Sequence, residues 1–169
     1  MSATRFNVLF LCTGNSARSL LAGCALDRWG QGKFTAFTAG SRPKPAPHPM
    51  TLRVLSDLNF ETDALRSKSW DEFNGADAPR LDFVITVCDN ARNESCPVWP
   101  GRPLSAHWGV EDPAACAGTE SQQYALFKRV YFELEKRIKR LVALPIESLD
   151  KASMQEALDE IGRLDAAID

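Results

Sequence analysis

The apolar run Val8-Leu9-Phe10-Leu11 leads directly into Cys12-Thr13-Gly14-Asn15-Ser16-Ala17-Arg18-Ser19, after which Leu20, Leu21, Cys24, Ala25 and Leu26 recur at helical spacing. A short continuous apolar run before a turn and a helical pattern reads as a buried parallel strand feeding a loop and a helix N-terminus. This order restricts the chain to an α/β fold, and it puts a thiol where backbone N–H groups converge. Such a convergence favours an anion and is expected to lower the pKa of Cys12 by stabilising its thiolate. Arg18 can return to the same loop and offer its planar fork to two oxygens of a tetrahedral oxyanion. Gly14 and Asn15 tolerate the left-handed backbone that such a loop needs, and Ser16 and Ser19 add hydroxyl donors. The plainer alternative is a core cysteine at a strand end and a solvated arginine.

The helix after the loop is expected to run to about Trp29, near Gly30 and Gly32, with Cys24 on its apolar stripe as a core residue. Phe34 to Ala39 reads as a second strand. A proline-punctuated loop, Ser41 to Pro49, follows and leads into a helix carrying Leu52, Val54, Leu55 and Leu58; His48 in that loop is read as a surface residue. Ser67-Lys68-Ser69 reads as the N-cap region of a short helix at Trp70-Asp71-Glu72-Phe73. Leu81 to Val87 is the third strand and Leu104 to Trp108 the fourth. Thr119-Glu120-Ser121-Gln122 carries the signature of a capping box, and Leu126, Val130, Phe132, Leu134, Ile138 and Leu141 form the expected stripe of a long helix. Strands and helices in alternation imply parallel βαβ units in a three-layer α/β/α sandwich on four parallel strands. Residues 145–169, with Leu149, Met154, Ala157, Leu158, Ile161 and Leu164, read as an amphipathic C-terminal helical extension of a domain spanning residues 1–144. Its apolar face is expected to pack on that domain, with another subunit as the alternative.

Ligands of such sheets bind beyond the carboxyl ends of the strands. Cys12 follows the first strand, Cys88 the third and Asp112 the fourth, so these three are expected at one edge. Cys88 and Cys96 are separated by a polar stretch able to turn, Asp89-Asn90-Ala91-Arg92-Asn93-Glu94-Ser95, which makes a redox pair geometrically reasonable; two unrelated thiols are the alternative. A carboxylic acid facing the nucleophile could protonate an oxygen leaving group, and Asp112, fixed by Pro113, is placed for that.

Charge and composition exclude several classes. The formal net charge of −2 gives no reason to expect nucleic acid or an anionic membrane surface as a partner, and 44% hydrophobic with 25% charged residues is ordinary for a globular protein. No stretch approaches a membrane span and no leader is evident, so a cytoplasmic location is expected. In a reducing compartment five cysteines do not form a structural disulfide framework.

The Cys-x5-Arg loop in this setting resembles the low-molecular-weight protein tyrosine phosphatase superfamily. Cys-Thr-Gly-Asn-Ser-x-Arg-Ser is most similar to its thioredoxin-linked arsenate reductase branch, as is His107-Trp108-Gly109-Val110-Glu111-Asp112-Pro113-Ala114. The phosphatases usually carry tyrosines directly after their Asp-Pro, where this chain has Ala114-Ala115-Cys116. The resemblance implies that Thr13, Gly14, Asn15, Ser16, Ala17, Arg18 and Ser19 hold arsenate, with phosphate or sulfate as competitors. It further implies that Cys12 attacks, Asp112 acts as general acid, and Cys88 and Cys96 complete a three-thiol relay. Thioredoxin or another thiol-reducing system would recycle the enzyme, with no metal or organic cofactor. A phosphatase and a non-catalytic oxyanion-binding or thiol-sensing protein remain as alternatives. Ala17 stands where relatives often carry another cysteine, outside the relay. Gly23 stands where some relatives have a glutamate of a potassium site, so that site is not implied. The Cys88–Cys96 interval is one residue longer than in the best-known relatives, and Cys116 is a second candidate resolving thiol.

Overall fold

The computed structural model describes residues 5–88, 99 and 101–164. The expected β1 is Phe6–Cys12, followed by α1 at Arg18–Trp29, β2 at Phe34–Gly40 and α2 at Pro49–Asp57. A 3-10 turn at Trp70–Phe73, β3 at Phe83–Thr86 and β4 at Leu104–His107 come next. The chain continues through a 3-10 turn at Pro113–Ala115, the long α3 at Glu120–Val142, and α4 at Lys151–Gly162. The strands pair in the order β2-β1-β3-β4, all parallel. This is the four-stranded parallel sheet and layered α/β sandwich that the alternation of elements predicts.

The apolar run of β1 is buried on both faces. Val8 and Phe10 belong to a large core shared with α1, α3 and α4, whereas Leu9 and Leu11 face a smaller cluster with Phe73, Leu81, Val84 and Trp99. A strand covered on both sides has no polar face to show, which is why its sequence lacks alternation.

α3 opens with the expected capping box, Thr119 with Gln122, but its buried face differs from the expected stripe. Phe127, Val130, Tyr131, Leu134, Ile138 and Leu141 are buried, while Phe132 is 45% exposed. The face of α3 is fixed by α1 and α2 beneath it, and that rotation places Tyr131 inward and leaves its neighbour outside. His48 is also more than a surface residue: its Nδ1 accepts from Met50 N at 3.0 Å as the N-cap of α2, and its ring lies 4.8 Å from that of Phe127.

α4 lies over β4. The fully buried Trp108 donates from Nε1 to the Leu158 carbonyl at 3.0 Å, and Gln155 Nε2 donates to the Ser105 carbonyl at 2.7 Å. Gly162 meets the His107 carbonyl so closely that no Cβ would fit. Among the described residues no helix is long and apolar enough to cross a membrane.

Candidate active site

The peptide carbonyls of the loop after β1 are nearly all taken by partners outside it. Cys12 O accepts from Ser41 N at 3.3 Å, Thr13 O from Arg42 N at 2.9 Å and Gly14 O from Lys44 N at 2.9 Å. Asn15 O accepts from Ser67 Oγ at 2.7 Å, and Ser16 O from both His48 N and Thr51 Oγ1, at 2.9 and 2.8 Å. Because each peptide is planar, turning the carbonyls outward turns the N–H groups inward. The proline-rich segment from Ser41 to Pro49 thus acts as a strap, its N–H groups holding the loop in an anion-binding shape. Gly40 is pressed against Thr13 O and the Asn15 backbone, a contact that no side chain would permit.

The centre of the loop is polar and buried. Asn15 has φ 47°, the left-handed conformation that asparagine tolerates, and is fully buried. Its Nδ2 donates to Ser19 Oγ at 2.7 Å, and its Oδ1 accepts from Lys68 N at 2.9 Å and Lys68 Nζ at 3.3 Å. Lys68 Nζ also donates to Thr38 Oγ1 at 2.9 Å and to the Arg66 carbonyl at 3.0 Å. Burial, with Arg66 adding to it, pulls the Lys68 ammonium down to about 8. Lys68 escaped the sequence reading because a lysine between two serines before a short helix carries no signal of burial. α1 begins at Arg18 with Ala17 as N-cap, without a capping side chain and without an acidic residue in its first turn. Its exposed N–H dipoles are left for an incoming anion.

Cys12 Sγ lies 3.0 Å from Ser19 Oγ and accepts from Asn15 N at 3.3 Å. Burial pushes its thiol up from the ordinary value, opposed by the Ser19 and Asn15 hydrogen bonds. This reverses the expectation of a lowered pKa. The physical reason is that Cys12 is only 3% exposed, and the loop's own cation is turned elsewhere. Arg18 Nη1 donates to the Val110 carbonyl at 3.2 Å and Nη2 lies 3.7 Å from Asp112 Oδ2.

The carboxyl edge of the sheet gathers the other candidates as the topology requires. Cys88 is buried beyond β3, its Sγ 3.6 Å from Thr13 Oγ1. The segment after β4 is tied to β3 through Trp108 N to Thr86 O at 2.7 Å and Val110 N to Val87 O at 3.3 Å. This brings Asp112 opposite Arg18, where its Oδ1 also accepts from Ala114 N at 3.0 Å. Glu111 pairs with Arg129 of α3 at the outer side of the same segment. Cys12, Arg18, Cys88 and Asp112 therefore share one edge, whereas Cys96 lies outside the described residues. Cys24 is buried on α1, its thiol pushed up to about 12 by burial with Asp27 beside it. Cys116 is half-buried after the 3-10 turn, accepting from Gly118 N at 3.4 Å.

The family model for low molecular weight phosphotyrosine protein phosphatase matches residues 7–155. An arsenate reductase of Halalkalibacterium halodurans is 31% identical over 136 residues, covering 78% of this chain and 91% of the relative. One from Bacillus licheniformis is 33% identical over 134 residues, covering 79% and 92%. Among solved structures, arsenate reductase from Archaeoglobus fulgidus superposes with a TM-score of 0.64 at 28% identity, over 81% of this chain and 99% of its own. A Cys-x5-Arg loop from Cys12 to Arg18, on a four-stranded parallel sheet within the matched residues 7–155, places this chain in the low-molecular-weight phosphotyrosine protein phosphatase family, on its arsenate reductase branch.

Proposed function

We propose that this protein reduces arsenate to arsenite by a thiol relay. The observation that carries the reading is the second thiol in the wall of the oxyanion loop, Cys88 Sγ at 3.6 Å from Thr13 Oγ1. Phosphate-ester hydrolysis has no use for a thiol at that point, whereas reduction requires one. Arsenate is held by the inward N–H groups of residues 13–19 and by Arg18. Cys12 sulfur attacks arsenic, and Asp112 protonates the departing oxygen so that it leaves as water. Cys88 thiolate then attacks Cys12 sulfur. The electron pair of the sulfur–arsenic bond passes to arsenic, which leaves as arsenite, and a Cys12–Cys88 disulfide forms. Cys96 thiolate attacks Cys88, regenerates Cys12 and leaves a Cys88–Cys96 disulfide, which an external dithiol such as thioredoxin reduces.

The resting thiol of Cys12 fits this scheme. Burial pushes the thiol up from its ordinary value, so Cys12 passes its proton to an oxygen of the bound arsenate as its sulfur attacks.

The test is a single exposure of fully reduced protein to arsenate without a recycling system. The expected result is about one arsenite per chain and the loss of two titratable thiols. Unchanged thiols with turnover of an aryl phosphate would establish the phosphatase reading, which Cys12, Arg18 and Asp112 alone would serve. Activity that survived Cys12→Ser in full would make the protein a binder or sensor.

A further inference from the structure

The rim of the oxyanion loop carries a cation that the mechanism above does not use. Lys44 donates its backbone N–H to Gly14 O at 2.9 Å, which fixes where its side chain starts. The stem then runs across Gly14: a Cβ built on that glycine would stand 3.0 Å from Lys44 Cγ and 3.5 Å from Lys44 Cε. The same position lies 3.5 Å from Ser16 Oγ. The ammonium, one bond beyond Cε, therefore lies close to Gly14. No carboxylate among the described residues pairs with it. Arg18, by contrast, is engaged with Val110 O and Asp112 in this conformation.

We propose that Lys44 is a specificity-determining residue, supplying the second positive charge for a small tetrahedral dianion and meeting it before Arg18 turns inward. The inference rests on the oxyanion-site reading and adds a charge preference to it. A dianion such as arsenate or phosphate gains from two cations, whereas a tetrahedral monoanion gains much less from the second. The missing side chain at Gly14 matters because a Cβ there would crowd the Lys44 stem. Arg42, two residues earlier and exposed on the same strap, serves as the comparison cation.

The experiment is calorimetric titration of reduced protein with inorganic phosphate and with perchlorate, for wild type, Lys44→Met, Lys44→Arg and Arg42→Met. Lys44→Met is expected to weaken phosphate about three- to tenfold, the span of a partly exposed charge contact, with little change for perchlorate. Lys44→Arg is expected to restore most of the affinity, and Arg42→Met to cost less than Lys44→Met. In arsenate turnover, KM should rise in Lys44→Met with kcat unchanged. Equal losses for phosphate and perchlorate, or for Lys44→Met and Arg42→Met, would overturn the assignment, as would unaltered phosphate affinity. A wild type that binds neither anion would instead overturn the oxyanion site itself.

Discussion

The two segments that face each other across the site are held by different means. The loop Cys12–Ser19 is fixed by backbone carbonyls satisfied from the strap and from Ser67, and by a buried asparagine with partners on every side. The segment Gly109–Asp112, which follows β4, is held by a main-chain bond to the end of β3 at its start and by charge pairs at its end, Arg18 with Asp112 and Arg129 with Glu111. Buried backbone bonds are costly to break because the groups left behind have no water. An exposed pair such as Arg129–Glu111 contributes about 0–1 kcal/mol, and in the other pair Asp112 is open to solvent and free to exchange partners. One wall of the site is therefore preorganised and the other is responsive. On the proposed function, an entering oxyanion would compete with Asp112 for Arg18, and the exchange would release the acid to serve the leaving oxygen.

The largest expected effect tests the responsive wall. Asp112→Asn keeps the short turn at Pro113, since an amide oxygen can accept from Ala114 N as the carboxylate does. It should slow the first, single-turnover release of arsenite by about a hundredfold or more, the range of a lost general acid. Sulfate affinity should rise at the same time, because Arg18 loses its competing anion. If sulfate bound more weakly, the exchange of partners by Arg18 would be wrong.

The preorganised wall is tested by Asn15→Ala. Alanine at φ 47° is strained, and the change leaves Lys68 N without its side-chain acceptor and takes one partner each from the buried Ser19 Oγ and from Lys68 Nζ. A loss of about 2–4 kcal/mol in stability is expected by denaturant titration, together with weaker sulfate binding. A variant as stable as wild type would show that the loop does not depend on its buried asparagine.

The smallest effect concerns pH. With Lys68 titrating at about 8, sulfate affinity should fall as the pH rises through that value, because the ammonium loses its charge and one donor. The sign for stability is opposite. The folded pKa lies below that of the unfolded chain, so the buried ammonium is a cost below about 8 that is relieved as the pH rises toward the ordinary lysine value. Lys68→Met should abolish both steps. Persistence of the affinity step in that variant would assign it to another group.

Most of what positions the site could be read from local order along the chain. Val8 to Leu11 had to be a doubly buried strand, Thr119 with Gln122 had to open a helix, and parallel topology then had to bring Cys12, Cys88 and Asp112 to one edge. What could not be read depends on neighbours distant in sequence. Phe132 and Tyr131 are adjacent aromatics, and only the seat of α3 on α1 and α2 decides which is buried. His48 caps a helix because the strap delivers it there, and it stacks on Phe127 from a different element. The thiol of Cys12 is raised rather than lowered because the folded core buries it, and Arg18 is held by Val110 and Asp112, almost a hundred residues along the chain.

The strap from Ser41 to Pro49 has a consequence for the entropy of binding. Prolines at 43, 45, 47 and 49 have no N–H to offer, while four of the five remaining residues, Ser41, Arg42, Lys44 and His48, give theirs to the carbonyls of the oxyanion loop. Proline also narrows the conformations open to the unfolded chain, so less freedom is lost when the strap closes. The ordering that an anion would otherwise have to impose on the loop is thus completed during folding, by a segment that contributes no reacting group. Substitution of those prolines should register as slower, weaker capture of the oxyanion long before it registers in the chemistry of the thiols.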